Sequence, residues 1–162
     1  MAQQTAYQGN RYSFTDISID GETTQLFGGV QFQFPKGVLQ SLNWKATQDA
    51  GIVQGNQVGI VGRTNGYGTC TGDMSLLVSE ADDWLNTITS GGFYPILSVY
   101  FNLRIAYSIN GTDVRMDALQ GIKLTDLGQD NAKGNDATVT TFSLNIAKAY
   151  KNNLIVFGDP SV

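Results

Sequence analysis

A mainly β domain carrying a single helix is what this sequence predicts, on three observations. Apolar residues recur at every second position along most of the chain, the period of a strand with one buried face. One acidic stretch alone has helical spacing. Glycine is abundant, 19 of 162 residues, and clusters between the alternating runs. The length, residues 1–162, reads as one domain, and a chain of that size buries roughly 70% of its unfolded surface, enough for a real core.

Taken in order, Gly29 to Phe34 reads GVQFQF, with Val30, Phe32 and Phe34 on one face and Gln31 and Gln33 on the other. Pro35-Lys36-Gly37 stops that run, and Leu42, Trp44 and Ala46 begin the next, opposed by Asn43 and Lys45. The two runs are expected to pair as a hairpin across Pro35 to Gln40. Cys70, Met74, Leu76 and Val78 set a further face against Thr71, Asp73 and Ser75. The helix is expected over about 80–90. Ser79 is the candidate N-cap with Asp82 three residues on, and Glu80 and Asp83 suit the positive end of the dipole. Ala81, Trp84, Leu85 and Ile88 form its apolar face, and Gly91-Gly92 ends it.

The longest alternation is Leu97 to Ile109, apolar at every odd position, a strand of ~40 Å. Asn110-Gly111 follows as a hairpin turn. Val114, Met116, Ala118, Ile122 and Leu124 return in even phase, interrupted at Leu119 and Gly121, where a bulge or kink is expected. After a polar loop, Gln129 to Asp136, the run Ala137 to Ala149 changes phase between Val139 and Phe142, predicting a bulge near Thr140 and Thr141. Leu154 to Phe157 closes the chain. The sum is a sandwich or barrel with the helix at one open edge.

Composition narrows function. Charged residues are 15% of the chain, against about 25% in an ordinary globular domain. A polar but weakly charged surface suits extensive contact with protein, and equally a β-rich monomer with a hydroxyl-rich surface. The net charge of −4 and the lack of a basic stripe argue against a protein that grips phosphate. Histidine is absent and Cys70 is the single cysteine, so the commonest general base, an intrachain disulfide and a cysteine-rich zinc site are all excluded. Cys70 alternates with Met74 and reads as a buried thiol. Gly55, Gly59, Gly62, Gly66 and Gly68 lack the Walker spacing and its lysine. Glu80, Asp82 and Asp83 are spaced neither for a metal nor for glycoside hydrolysis. No enzyme and no cofactor are expected. The N-terminus has no signal-peptide pattern and no run reaches membrane-spanning length, so synthesis in the cytoplasm without membrane insertion is expected.

The order of short motifs carries a resemblance. Gly62-Arg63-Thr64-Asn65-Gly66-Tyr67 leads to Gly72-Asp73-Met74-Ser75-Leu76 and then the acidic helix from Glu80 to Leu85. Gly91-Gly92, Val99-Tyr100-Phe101, Asp117-Ala118-Leu119-Gln120-Gly121 and a final strand pair follow. From about Tyr12 to Phe157 the chain resembles the tail tube proteins of long-tailed bacteriophages, particularly those of contractile tails and pyocin-like particles. Each motif alone is weak; together they are moderately specific. The departure lies in loops where Gln, Asn and Gly replace positive or aromatic residues.

The resemblance implies a tail-tube β-sandwich or barrel that assembles into a homo-hexameric ring. Rings stack into a conduit through which viral DNA passes without specific binding, and the product belongs to the virion. Partners implied are further copies of the chain, tail sheath, tape measure, baseplate and tail terminator. Residues 1–11 would be an N-terminal arm and 35–66 an inter-ring loop region, with Val38 to Thr64 ordered by the adjacent ring. Contacts between subunits are expected at Arg11, Tyr12, Phe14, Val38, Leu39, Trp44, Ile52, Val53, Ile60 and Arg63. Charge at the channel or its rim is expected at Asp73, Asp113, Asp117 and Asp126. Two other readings stand beside this one: the secreted hexameric tube protein of a type VI or related injection system, and a carbohydrate-binding β-sandwich stacking sugars on Tyr67, Tyr94, Tyr100 and Tyr107.

Overall fold

The structure is a computed structural model that describes residues 17–35, 38–54, 60–109, 113–130 and 138–158. Among the described residues, nine strands and one α-helix run in the order β1 (Ile17–Thr23), β2 (Gln31–Phe34), β3 (Leu39–Gln54), β4 (Ile60–Leu77), α1 (Val78–Ile88), β5 (Tyr100–Ile109), β6 (Asp113–Asp130), β7 (Val139–Asn145), β8 (Lys148–Lys151) and β9 (Leu154–Phe157). The expectation of a mainly β chain with one helix holds.

All pairings are antiparallel, in the order β2-β1-β5-β6-β7-β4-β3, with β8 on β6 and β9 on β8. The expected hairpin between the second and third strands does not form. β2 pairs with β1 and β3 pairs with β4, at opposite ends of that path. Alternation identifies a strand's face but carries no information about its partner. The five steps from Phe34 to Leu39 span at most about 17 Å. The two ends of the path are therefore close in space, and the sheet must curl back on itself.

β6 makes the corner. Its first half lies between β5 and β8, and its second half pairs with β7. The predicted bulge is present: Phe101 faces Ile122 while Leu103 faces Leu119, so Gln120 and Gly121 together oppose Asn102. Gly121 has φ +64°, and a Cβ there would come within 2.8 Å of the Ala147 Cβ. Its N–H is taken by Asn102 Oδ1 at 2.9 Å. The bulge expected near Thr140 and Thr141 is absent. β7 pairs with β4 in unbroken register, even positions inward, and Thr140 occupies a core position. The irregularity falls instead on the partner, at Thr125 of β6.

The core lies inside the curled sheet, built from Ile19, Phe34, Met74, Leu76, Phe101, Leu103, Leu119, Ile122, Leu124, Phe142, Leu144 and Ile146 among others. Helix α1 buries Ala81, Trp84, Leu85 and Ile88, the face its spacing predicts. Trp84 stands 5.4–5.5 Å from the ring centroids of Phe34, Phe101 and Phe142, which belong to β2, β5 and β7. One side chain thus joins three strands, and edge-to-face geometry at Phe101 and Phe142 adds to the area buried. Ser79 is not the N-cap. Leu77 holds that position without a side-chain bond, and the Val78 N–H donates to the Thr138 carbonyl instead. Gly91 and Gly92, both at positive φ, follow the helix as expected.

The long strand starts later than Leu97. Pro95 initiates a tight turn over Ile96–Ser98, with Ser98 N–H and Oγ both donating to the Pro95 carbonyl, and β5 begins at Tyr100. The Asn110-Gly111 turn lies outside the described residues. No helix among the described residues is long and apolar enough to cross a membrane.

Candidate functional site

Three surfaces stand out, and the first follows from strand parity. The first is the outer face of β2, β1, β5 and β6. Ile19, Phe34, Leu103 and Ile105 point inward, so their neighbours must point out. Those neighbours are Ser18, Asp20 and Glu22 on β1, Gln31 and Gln33 on β2, Asn102 and Arg104 on β5, and Ala118 and Gln120 on β6. Together they line an open concavity of about 740 Å³. Asp20 faces Arg104 across the β1–β5 ladder, and Arg104 Nη2 donates to Asp20 Oδ2 at 2.5 Å. Gly21 lets these strands approach: a Cβ there would strike the Asn102 carbonyl and the Phe32 ring.

The second surface is a two-stranded arm. β4 pairs with β7 from Leu77 only as far as Thr71. Beyond that point β3 and β4 pair with each other, out to Gln54 opposite Ile60. From Thr47 to Gln54 the arm measures about 26 Å at ~3.3 Å per residue. The region expected as an inter-ring loop, 35–66, is thus mostly strand. The third surface is apolar. Leu26 and Phe93 are 78% and 79% exposed and Leu97 is 46% exposed. They surround a cluster in which Phe27 meets Tyr94 edge-on at 5.0 Å and Tyr100 at 6.0 Å. The short closing strand β9 adds exposed Leu154, Ile155 and Val156 at a sheet margin.

The residues singled out in the sequence scatter over these features. Ile52 faces Arg63 and Val53 faces Gly62 on the arm, with Ile60 opposite Gln54. Trp44 and Val38 are half-buried, packed against the core. Arg11, Tyr12 and Phe14 lie outside the described residues. Leu39 is 4% exposed; this chain's own core takes up its side chain, which corrects its assignment to a contact between copies. Asp73 and Asp126 are exposed on β4 and β6, and Asp113 faces Ile109 at the start of β6.

Asp117 is the second correction. It is 2% exposed and cannot supply charge to a channel surface. Its Oδ2 accepts from the Tyr107 hydroxyl at 3.1 Å and lies 3.6 Å from Lys151 Nζ, while Oδ1 accepts from the Asn152 N–H at 3.3 Å. Asn152 and Asn153 make the positive-φ turn between β8 and β9, so Asp117 ties that hairpin to β6. Burial, then the Asp117 charge and hydrogen bond, push the Tyr107 hydroxyl up to about 12. Cys70 is buried, as expected, and burial raises its thiol pKa.

Sequence reasoning missed β1 and with it Asp20 and Glu22. The signal was present in Ile17 and Ile19 alternating with Ser18 and Asp20, but Gly21 interrupts it after four residues.

No family profile and no curated protein matches the chain. Solved structures do. A chain of the sheath–tube complex of an extracellular contractile injection system, PVC, in its extended state, aligns over 88% of this chain and 92% of its own, at 14% identity and TM-score 0.60. The SPP1 tail tube aligns over 88% of this chain and 79% of its own, at 10% identity and TM-score 0.60. A chain of the anti-feeding prophage baseplate covers 87% and 95%, at 8% identity and TM-score 0.59. The fold is that of the SPP1 tail tube and of chains in contractile injection particles.

Proposed function

We propose that the chain is a structural subunit of a phage tail tube. Copies close into a homo-hexameric ring, and rings stack into a hollow conduit for viral DNA. The observation that carries the reading is the sheet β2-β1-β5-β6, which buries one face in the core and offers a concave polar face built from Ser, Gln, Asn and a few opposed charges. Such a wall suits a water-filled passage. Exposed margins at β2 and β9 leave backbone groups for neighbouring copies, and closing a ring removes the margins that an isolated sheet would expose. The arm and the apolar cluster around Leu26 and Phe93 are unlike surfaces, and contact between unlike surfaces repeats without limit along an axis. With a net charge of −4 per copy, the assembly repels phosphate and does not hold its cargo.

Asp73, Asp113 and Asp126 remain proposed as rim charges. Arg11, Tyr12, Phe14, Val38, Trp44, Ile52, Val53, Ile60 and Arg63 remain proposed as contacts between copies. Sheath, tape measure, baseplate and tail terminator are the proposed partners, the virion is the proposed location, and the role is structural without catalysis. Equal TM-scores to a phage tail tube and to an injection-system complex favour a second reading, the tube of an injection machine carrying another cargo. Negative-stain microscopy of the purified chain tests the assembly. Rings or tubes with a central hole support it, and a monomer at every concentration removes it. Sheath and tape-measure genes beside this one, rather than secretion ATPase genes, would separate the two readings.

A further inference from the structure

The concave face carries an arginine, which is unexpected on the wall of a DNA conduit. A guanidinium fork matches phosphate geometry, and each phosphate so engaged adds a salt-dependent increment of affinity. The surroundings of Arg104 answer this. Asp20 stands directly opposite on β1 and accepts from Arg104 Nη2. Glu22 follows on the same face of β1, close enough that its charge also favours the guanidinium form of Arg104. On the other flank Arg104 faces Ala118, which offers no competing polar group. Two carboxylates of β1 therefore stand on one flank of this cation, yet the Arg104 side chain remains 61% exposed to whatever fills the concavity. The second cation described on this side of β5 and β6, Lys123, lies over the Tyr100 ring, 5.8 Å from its centroid.

Resting on the tube reading above, we propose that Asp20 occupies the fork of Arg104 as an internal stand-in for phosphate, and that this pairing keeps the channel wall from gripping duplex DNA. A passing phosphate must displace a carboxylate already in place and approach a second, Glu22. The arginine still contributes polar, hydrated surface, while the concavity's own lining carries two carboxylates, Asp20 and Glu22, to one guanidinium. Asp20 is on this account a specificity residue acting through Arg104.

The test uses assembled tubes and a short fluorescent DNA duplex, with retention measured by co-sedimentation across a salt series. Asp20→Asn tubes are expected to retain DNA about tenfold more tightly than wild type at low salt, losing it as salt rises. Arg104→Gln and the double variant Asp20→Asn/Arg104→Gln are expected to match wild type or bind less. Glu22→Gln makes the same charge change with the pair intact, and is expected to rise less than Asp20→Asn. An exposed ion pair contributes little to folding, so the variants are expected to fold; Asp20→Ser repeats the test if Asp20→Asn tubes do not assemble. Tubes of Asp20→Asn that hold no more DNA than wild type overturn the proposal. So does a double variant that binds as tightly as Asp20→Asn, or a Glu22→Gln that equals it. Wild-type protein that never forms hollow tubes overturns the tube reading itself, a separate result read by microscopy.

Discussion

The two halves of β6 are one strand with opposite rules. Before Gly121 the odd positions face the core, and Asp117 and Leu119 are buried; after it the even positions do, and Ile122 and Leu124 are buried. Asp117 and Asp126, nine positions apart, are both acidic residues on this strand. One is locked beneath the β8–β9 turn and the other is in solvent. Two irregularities separate them: the bulge at Gly121 turns the even positions inward, and the extra residue at Thr125 turns Asp126, opposite Ser143, outward again. The meaning of a charge on this strand is therefore set by its phase relative to the two irregularities, before any property of its neighbours.

The largest expected way to break this contrast is Gly121→Val. The position needs φ +64°, which a β-branched residue resists, and the new side chain would collide with Ala147, 2.8 Å from the Cβ position. Strain and overpacking together are expected to cost about 2–4 kcal/mol, read by urea denaturation. A loss below about 1 kcal/mol would mean that the corner can form without a left-handed residue.

Next comes the pair of aspartates. Asp117→Ala leaves the Tyr107 hydroxyl and the Asn152 N–H without their carboxylate acceptor and is expected to cost about 1–3 kcal/mol. Asp126→Ala, on the exposed side, is expected to stay within about 0.5 kcal/mol. Equal effects from the two would erase the distinction between the halves. Hydrogen exchange adds a spatial check: the Asp117 variant should release the amides of β8 and β9 first, because their turn is then held to β6 by the Asn152 N–H bond to the Met116 carbonyl (2.7 Å) without the carboxylate.

Much of this fold was legible in the sequence, and the failures share a cause. The helix was readable because Ala81, Trp84, Leu85 and Ile88 signal a buried face within one short window. The inward residues Val99, Phe101, Leu103 and Ile105 were readable for the same reason. Strand partners were not, because Phe34 and Leu39 are close in sequence while their strands sit at opposite ends of the path. Asp117 was misplaced because Met116 and Ala118 flank it with apolar side chains that continue the even phase of Ile122 and Leu124. Only the bulge reveals that Met116, 39% exposed, is on the outside. The concave face depended on β1, whose alternation stops at Gly21. Its polar lining therefore emerged only once four strands were placed side by side.

The smallest expected effect is a pH dependence confined to the first half of the strand. Tyr107 is raised to about 12 by burial and by the Asp117 carboxylate, whereas an unfolded tyrosine titrates near 10. A folded pKa above the unfolded one means that the neutral phenol is favoured in the native state. Its stabilising contribution is whole below about pH 10, declines as pH rises from there, and is gone above about 12. Wild-type melting temperature should therefore fall through that window partly on account of this residue. Tyr107→Phe should start lower at neutral pH, having lost the bond to Asp117, but decline less steeply between those limits. Absorbance titration of the phenolate in the folded protein gives an independent reading. A Tyr107 that ionises near 10, or a Phe variant with the wild-type alkaline slope, would show that the Asp117 network does not hold the hydroxyl in its neutral form.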